Sequence, residues 1–489
     1  MLRIKPLSDV TSLVVLKIPQ LFVQTRRLAE KLPLVEILAH SEPDHIWLRN
    51  GFGALGFGTI TDFKISANSA NPAARFKTAQ KWWEELAAQT TIDDEVQAPG
   101  SGLFAFGSFS FTENSPKGST LLIPQILLFS TKNESWITIT ADSQTKLASL
   151  SEEATEIISR SLKKASVNKS EQKKIHGKFQ LSEIHELPET QLWLQQVDTT
   201  IKRIESGVAE KIVLSRSIKL QVNQEQNNFL SAPRIAQRLA QNYPNTWIFG
   251  VDNLVGATPE LLIGRDAERT YSRVLAGTIS RETNLTLAEL SSQLQGSEKD
   301  QHEHEIARDS VIAALRKFGE ISAESPYILE LPNVLHLASD IELHPTQSDI
   351  EAPNTESNAE ALNTEEESLV NQNPQKHFAQ PAIFSILAKL HPSAALGGSP
   401  REAALAAITE IETVDRGRYG APVGWIARSN FAGSAKDYGQ WCIALRCAQI
   451  LSPFELQAWA GGGIMIDSIP EKELAETTAK FRPIRDLFA

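Results

Sequence analysis

Two glutamates and a lysine near the end of the chain have a spacing that could build a cation site. Glu473, Glu476 and Lys480 follow one another at i, i+3 and i+7, which places them on one face of a predicted helix. Two carboxylates on one face repel each other unless a cation neutralises them, and an oxygen-only ligand set suits a hard ion such as Mg²⁺. The alternative is a solvated helix face with a simple Glu476–Lys480 ion pair, which stabilises helices in general. The helix alone leaves both interpretations open.

A lysine and a glutamate elsewhere in the chain could supply a base and an acid. Lys211 begins the segment KIVLSRSIKL, whose alternation predicts a half-buried strand. If Lys211 faces a cleft, burial and cations such as Arg216 would lower the pKa of its amine, and it could act as a general base. If it does not, its side chain extends to solvent. Glu260 precedes an apolar run. Desolvation would raise the pKa of its carboxyl and make it a general acid, whereas exposure would make it an ordinary surface group.

Glu303 lies on the core side of a predicted helix. It shares one face with Ala307 and Val311, at steps of four residues, and an unpaired charge on that side is costly. We therefore expect a metal ion or a basic partner there. His302 and His304 lie on other faces of the helix, which argues against a histidine-based transition-metal site.

An arginine and a glycine turn could together bind a carboxylate. Arg446, in the strand-like segment CIALRCAQI, offers a bidentate guanidinium, and Gly461–Gly463 allow close approach of backbone N–H groups. The glycine run matches neither a Walker A loop nor a dinucleotide-binding fingerprint.

These residues need a framework, and alternating strands and amphipathic helices are predicted along most of the chain. The predicted strands are at 46–63, 102–111, 121–130, 135–141, 211–220 and 245–265. The predicted helices are at 74–90, 191–207, 299–319, after the loop at 391–398, and at the C-terminus. Ser399 with Glu402, and Ser468 with Glu471, are predicted to form capping boxes at the last two helices.

Composition argues against several classes of function. The formal net charge is −11, and residues 346–376 form an acidic, low-complexity segment that is predicted to be an insertion. No strong basic patch is visible, so nucleic-acid binding is not expected. No run approaches the ~18 apolar residues of a membrane span, and the N-terminus is too polar for a signal peptide, so a cytoplasmic protein is expected. Cys442 and Cys447 would point to opposite faces of a strand, which disfavours a disulfide.

Several segments, taken together and in order, resemble the chorismate-utilising enzymes, a family that includes isochorismate, salicylate, anthranilate and aminodeoxychorismate synthases. The segments are KIVLSR, GATPELLIGR, AGTISR, SEKDQHEHEI, LHPSAALGGSPR, YGAPVGW, IALRCA and AGGGIMIDSIPEKELAET. The resemblance implies one large α+β domain in which two antiparallel β-sheets pack face to face and are wrapped by helices. It implies that residues 188–489 form the chorismate-binding catalytic region and that residues 1–187 form a divergent first half of the fold.

The resemblance also implies roles for the candidate residues. Lys211 matches the base that activates water for attack on C2 of chorismate, and Glu260 matches the acid that protonates the departing C4 hydroxyl. Glu303 and Glu476 match ligands of Mg²⁺, the implied cofactor, and Glu473 matches a carboxylate that reaches the metal through water. Contacts with the substrate are implied for Gly277, Thr278, His391, Ala395, Leu396, Arg446, Gly461 and Lys480.

Two features favour one branch of the family. A lysine at 211 matches relatives that use water as the nucleophile, whereas the amine-forming relatives typically carry glutamine there. Ala395 and Leu396 resemble the loop of isochorismate synthases more than that of salicylate synthases. The expected activity is therefore Mg²⁺-dependent isomerisation of chorismate to isochorismate, feeding menaquinone, siderophore or salicylate synthesis, by a monomer without a glutaminase subunit. A salicylate synthase, an amine-forming synthase and a non-catalytic chorismate-binding protein are the alternatives.

Overall fold

The computed structural model describes most of the chain, in eight ranges. They are 18–69, 71–167, 179–223, 229–281, 284–331, 334–345, 381–431 and 434–488. The predicted acidic insertion at 346–376 lies outside these ranges. No helix within them is both long enough and apolar enough to span a lipid bilayer.

In the described part of the chain, 21 strands are joined by hydrogen bonds into one sheet. The strands before the predicted catalytic region are β1 (Phe22–Arg27), β2 (His45–Arg49), β3 (Phe52–Ile65), β4 (Thr91–Asp94), β5 (Leu103–Ser108), β6 (Ser119–Ser130), β7 (Ser135–Ala141) and β8 (Leu181–Leu187). The strands within it are β9 (Lys211–Val222), β10 (Trp247–Val251), β11 (Leu254–Thr258), β12 (Leu261–Arg265), β13 (Thr270–Ser280), β14 (Gly319–Ala323), β15 (Tyr327–Glu330), β16 (Val334–Pro345), β17 (Gly398–Ser399), β18 (Pro422–Phe431), β19 (Ser434–Ile443), β20 (Cys447–Ser452) and β21 (Glu455–Ile464).

The sheet divides at the paired strands β3 and β6 into two arms. From β3, one arm continues through β2, β10, β11, β20, β21, β9 and β8. From β6, the other arm runs through β5, β18, β19, β12, β13 and β16. Among the described pairs, only β1 with β4 is parallel. Each arm therefore joins strands from both halves of the sequence within one sheet.

The two arms face each other across an aromatic core, and helices cover their outer faces. Trp47, Phe106, Phe249 and Trp425 lie in one buried cluster between the arms. The helices are α1 (Leu34–His40), α2 (Arg75–Gln89), α3 (Gln144–Val167), α4 (Thr190–Glu205), α5 (Ala232–Asn242), α6 (Leu287–Gln295), α7 (Glu298–Leu315), α8 (Ile383–Leu390), α9 (Arg401–Ile411), α10 (Pro470–Lys480) and α11 (Arg482–Arg485). The predicted α+β fold with facing antiparallel layers is confirmed, with the correction that hydrogen bonds join both layers into one sheet.

Local predictions near the ends of helices are less accurate. Helix α7 ends at Leu315, before Gly319, which instead begins β14. Both predicted capping boxes are wrong, since α9 and α10 have no side-chain cap. Ser399 lies in β17, opposite Lys211 of β9, and the Ser468 hydroxyl donates a hydrogen bond to Glu473. Strand pairing with β9 at Ser399 and a local hydrogen bond to Glu473 at Ser468 have taken the two serines that would have capped the helices.

Candidate active site

Gly461–Gly463 do not form the predicted turn: they lie in strand β21, whose pairing with β9 places them beside the strand that carries Lys211. Val213 lies opposite Gly463, and Ser215 lies opposite Gly461. Lys211 is fully buried, and its Nζ donates a hydrogen bond of 2.8 Å to Oε1 of Glu303 on α7. A Cβ atom at Gly463 would lie 2.6 Å from Lys211 Cε and 2.7 Å from Glu303 Oε1. Position 463 therefore needs glycine so that strand and helix side chains can meet over it.

The ion pair sets the charge of Glu303. Burial by itself would raise the pKa of this carboxyl, but the charge of Lys211 and the hydrogen bond from it act in the opposite direction, helped by Lys480 and Lys299. The net result is a pKa below the ordinary value. Glu303 is therefore a carboxylate at neutral pH, as a metal ligand must be.

Glu260 has the opposite protonation state. It lies between β11 and β12, is only 4% exposed, and its carbonyl accepts a hydrogen bond of 3.1 Å from Ile443 N–H. Burial raises the pKa of its carboxyl to about 8, although a backbone hydrogen bond from Leu275 and the charges of Arg446 and Lys211 act in the lowering direction. The side chain is therefore mainly a neutral acid at pH 7, which is the state of a proton donor.

Helix α10 directs Glu473, Glu476 and Lys480 toward the glycines of β21. Lys480 Nζ donates to the carbonyl of Gly461 at 2.8 Å and also to Glu476 Oε1. Glu473 Oε1 accepts hydrogen bonds from Ser468 Oγ at 2.7 Å and from Lys299 Nζ at 3.3 Å. The predicted common face of α10 is thus confirmed in geometry, because both glutamates and the lysine meet β21.

One carboxylate oxygen in this group has no partner. Glu473 Oε2 is buried and makes no hydrogen bond among the described residues. Burial and the nearby charge of Glu476 raise the pKa of the Glu473 carboxyl. A Cβ atom at Gly462 would lie 3.1 Å from Glu473 Oε2 and 3.8 Å from Glu476 Oε1, so both oxygens approach the same glycine.

The donor set suits a hard cation, although the side chains are not arranged around one. Within the described ranges, no group of three or more His, Cys, Asp or Glu residues is already arranged as metal ligands. Instead Glu303 and Glu476 each bind a lysine, Lys211 and Lys480. The orphaned Glu473 oxygen and the all-carboxylate chemistry fit Mg²⁺.

Arg446 is connected to Thr278 through a histidine that sequence reasoning missed. Arg446 Nη2 lies 3.4 Å from His336 Nε2, and His336 Nδ1 lies 3.0 Å from Thr278 Oγ1. Because arginine only donates, Nε2 accepts and Nδ1 carries the hydrogen. Burial, with the charges of Arg446 and Lys480, lowers the pKa of His336 well below its usual value, so the imidazole is neutral. The signal in the sequence was a lone polar residue in the apolar run VLHLA of β16.

The glycine before Thr278 lets β13 come close to α7. Gly277 has a φ of 75°, and a Cβ atom there would lie 3.1 Å from Asp300 Cβ. Asp300 Oδ1 in turn accepts a hydrogen bond of 3.3 Å from the N–H of Thr278. Both predicted positions thus belong to the same group as Glu303, one turn along α7 from Asp300.

The C-terminal end of the loop at 391–398 forms backbone hydrogen bonds with the start of β9. Gly397 O accepts a hydrogen bond of 3.1 Å from Val213 N–H, and Gly398 pairs with Ile212. Leu396 is buried, and its carbonyl accepts from Arg416 Nη1 at 2.9 Å; Ala395 packs at the edge of the same apolar core. The loop therefore stands next to the strand that carries Lys211.

His391 lies apart from the other predicted site residues. Its Nε2 is 3.0 Å from the carbonyl of Phe111, and its ring contacts Phe76 and Phe111 edge-on. It lines a separate cavity with Arg75. The role of His391 in substrate binding stays a prediction.

A wide cleft gives solvent access to the carboxylates. Its volume is about 1240 Å³, and it is lined by Thr278, Lys299, Asp300, Glu473, Glu476 and Lys480 among others. Lys211 and Glu260 lie deeper and are buried. The site thus combines a charged entrance with a dry interior, where electrostatic effects on a bound anion are strongest.

Comparison with known proteins identifies the family. The sequence model of the family described as "Chorismate binding enzyme" matches residues 19–351 and 376–489. The chain belongs to this family. Isochorismate synthase DhbC of Bacillus subtilis (strain 168) is 30% identical over 315 residues, which cover 61% of this chain and 68% of that protein. Isochorismate synthase MenF of the same organism is 25% identical over 455 residues, which cover 88% of this chain and 84% of that protein.

Solved structures share the fold. MenF, the menaquinone-specific isochorismate synthase from Escherichia coli, aligns with a TM-score of 0.67 at 20% identity, over 96% of this chain and 95% of that one. Anthranilate synthase component I from Streptococcus pneumoniae TIGR4 aligns with a TM-score of 0.61 at 16% identity, over 88% and 91%. Because these neighbours have different names, the fold alone does not choose between their reactions.

Proposed function

We propose that the protein is an isochorismate synthase, which isomerises chorismate to isochorismate with the help of Mg²⁺. The observation that carries the proposal is the contrast between a buried neutral acid, Glu260, and a buried lysine, Lys211, in one group of residues. The family match to chorismate binding enzymes and the names of the relatives DhbC and MenF support the choice of substrate and product.

Glu260 would donate the proton that the leaving hydroxyl needs. Hydroxide is a poor leaving group, so the C4–O bond breaks readily only when its oxygen is protonated as it departs. With a pKa of about 8, Glu260 holds that proton at neutral pH and can still release it in the transition state. Recovery of a proton from solvent through the cleft would complete the cycle.

Lys211 would take the proton of the attacking water. As water oxygen bonds to C2, the ring double bonds shift, the C4–O bond breaks, and one water is consumed while one is released. Lys211 acts as a base only as the neutral amine. In the structure its Nζ donates a hydrogen bond to Glu303, a contact that Glu303 would give up on binding a cation instead.

Glu303 and Glu476 would hold the metal, and Glu473 would reach it through water. The three side chains lie near Gly462 and Gly463 of β21, and Glu473 Oε2, which has no partner among the described residues, leaves a free acceptor there. Bound Mg²⁺ would neutralise and orient the ring carboxylate of the substrate. Three glutamates would otherwise repel a dianion such as chorismate.

Arg446 and Lys480 would contact the substrate carboxylates, with Gly461 of β21 and Thr278 close by. Arg446 is nearly buried and ordered by His336, so little conformational entropy remains to be lost on binding. The proposal includes a monomeric enzyme in the cytoplasm, without a glutaminase subunit, since a reaction with water needs no ammonia. Menaquinone or siderophore synthesis would use the product, as the relatives' names suggest for them.

A product assay tests the proposal. Purified protein is incubated with chorismate and Mg²⁺, with and without ammonium, and the products are separated by liquid chromatography. We expect isochorismate alone, lost on adding EDTA and regained on adding excess Mg²⁺. Salicylate with pyruvate would assign the chain to the lyase-competent branch, and an ammonium-dependent aminated product would contradict the role of Lys211. No product at all from folded protein that binds chorismate would support the non-catalytic alternative.

A further inference from the structure

A second cavity lies behind the loop at 391–398. Its volume is about 650 Å³, within the range of small-molecule sites. It is formed by the first turn of α2, residues 111–114, the end of α8, one side of α9 and residues 412–416. None of the proposed metal ligands, nor Lys211 or Glu260, lines it.

Two polar side-chain atoms of residues in its wall are buried and have no hydrogen-bond partner among the described residues. They are Arg75 Nε, a donor, and His391 Nδ1, in residues that are 7% and 2% exposed. Because His391 Nε2 donates to the carbonyl of Phe111, Nδ1 is an acceptor. Leaving either atom unpaired in a buried site costs stability. Both atoms are sealed from solvent in this structure, so a ligand in the cavity gains the free energy of pairing with one of them only where it turns that side chain toward itself.

The charge balance at the wall favours an anion. Arg75 makes one hydrogen bond to the carbonyl of Phe111, at 3.2 Å, and a long ion pair of 3.6 Å with Glu113, whose side chain is 44% exposed. The other acids of the wall are already engaged: Glu412 accepts from Arg416, and Asp415 accepts from a serine hydroxyl. Arg75 Nη1 therefore has only this long contact with Glu113 among the described residues, and it can donate to a carboxylate in the cavity.

The rest of the wall is apolar. Phe76, Phe111, Leu405, Ile408 and Val414 line it. An arginine at one end, an imidazole acceptor and aromatic walls together suit a small carboxylic acid that has an apolar ring and a hydroxyl group.

The wall is also connected to the active site. Arg401 donates to the carbonyl of His391, the first residue of the loop. Arg416 donates to Leu396 O in that loop and to Val213 O, two residues after Lys211, at 2.9 and 2.7 Å. A ligand that moves either arginine therefore moves backbone that positions the loop and the strand of Lys211.

We propose that this cavity is an effector site for a small hydroxylated carboxylic acid, and that its occupancy changes turnover through the loop at 391–398. The binding part stands by itself, whereas the effect on turnover rests on the proposed function.

Calorimetric titration with 4-hydroxybenzoate tests the binding part. We expect saturable binding to the wild-type protein, weakened roughly tenfold or more by Arg75→Gln, because a charge-assisted hydrogen bond is lost. The uncharged 4-hydroxybenzamide should bind similarly weakly. Lys81→Gln, on α2 but outside the cavity, and Arg446→Gln, in the active site, should leave binding unchanged. Equal binding to wild type and Arg75→Gln, loss in Arg446→Gln, or no binding to wild type would each overturn the proposal.

A second variant guards against misfolding of Arg75→Gln. Ala406 is exposed on α9 at the rim of the cavity, so Ala406→Trp fills the entrance without removing a charge. We expect it to abolish binding of 4-hydroxybenzoate while leaving Tm and chorismate turnover close to wild type. Unchanged binding in this folded variant would contradict the location of the site.

Turnover measured with and without 4-hydroxybenzoate tests the coupling. We expect a change in kcat that saturating chorismate does not reverse and that is absent in Ala406→Trp. Purely competitive inhibition would place the acid in the active site and overturn the proposal. If the protein turns over no chorismate at all, the proposed function fails, yet the calorimetric result still decides whether the cavity binds the acid.

Discussion

Glu260 and Glu303 are two buried carboxyls in one active site that carry opposite protonation states. Burial raises the pKa of Glu260 to about 8, and the cations around it do not offset this. At Glu303, burial is outweighed because Lys211 touches the carboxylate at 2.8 Å. Contact with a cation, rather than general proximity to positive charge, decides which carboxyl is ionised.

The difference separates two tasks that would conflict on one residue. A metal ligand must be an anion, and a proton donor must be neutral at the same pH. The fold achieves this by placing one lysine at the start of β9, against α7, while the turn before β12 holds Glu260 away from any ion pair in the described structure. Replacing one of these residues at a time should therefore affect either proton transfer or metal binding.

Replacing the lysine should have the largest effect. Lys211→Ala removes the proposed base, and it should reduce kcat by about 10³ to 10⁴-fold, the upper part of the range for general base catalysis. Mg²⁺-dependent chorismate binding should persist. Steady-state kinetics and calorimetry measure both, with Lys219→Ala on the same strand as the control. Normal kcat in Lys211→Ala would refute the assignment of the base.

Removing the acid should have the next largest effect. Glu260→Gln keeps the shape and neutrality of the side chain but has no acidic proton, so kcat should fall by about 10² to 10³-fold. Because the wild-type carboxyl is already neutral at pH 7, Tm should change little. Glu268→Gln, in an exposed turn, is the control. A kcat within about threefold of wild type would assign the proton donor elsewhere.

Removing the charge of Glu303 should weaken metal binding more than it slows the chemical step. Glu303→Gln should weaken Mg²⁺ binding roughly tenfold or more, because a neutral amide is a much poorer ligand for a hard cation. A Mg²⁺ titration of activity measures the shift, and Glu305→Gln, exposed on the other side of α7, provides the matched control. An unchanged titration would exclude Glu303 from the metal shell.

The pH profile should show the raised pKa of Glu260 directly. Its carboxyl is protonated below its pKa and ionised above it, so kcat/KM should fall as pH rises through about 8, by roughly tenfold per pH unit beyond. Glu303 should add no limb in this range, since its pKa is lowered. A flat kcat/KM from about pH 7 to 10 would contradict the assignment of Glu260 as the acid.

The smallest effect is expected at Glu473. Its Oε1 is held by Ser468 and Lys299, so only the partnerless Oε2 remains to reach the metal, which we propose it does through water. Glu473→Gln should weaken Mg²⁺ binding about two- to fivefold, less than Glu303→Gln. The same titration applies, with Glu471→Gln as control. A loss as large as that of Glu303→Gln would make Glu473 a direct ligand.

Periodicity predicted which face a residue occupies, but not what it meets there. The steps from Glu303 to Ala307 and Val311 correctly put the carboxylate on the buried side of α7, where both apolar residues are buried. Its partner Lys211 is 92 residues away in sequence. No local pattern contains that contact; the expectation of a basic partner or a metal came from the cost of burying the charge.

Residues that act through tertiary contacts were the ones missed or misjudged. His336 reads as one polar position in an apolar strand, and its link between Arg446 and Thr278 exists only because β16 pairs with β13. Ser468 fits a capping box by spacing, yet Glu473 offers its hydroxyl a charged acceptor.

Strands from both halves of the sequence pair with each other in the sheet, and this limits where the chain can be cut into fragments. A fragment that starts at residue 188 would lack β2 and β5, so the edges of β10 and β18 that pair with them would be open. Open strand edges recruit other chains and lead to aggregation. The motif-rich half by itself is therefore a poor reagent for expression or screening. Sequence change in the first half is tolerable only where its strands keep their register against strands of the second.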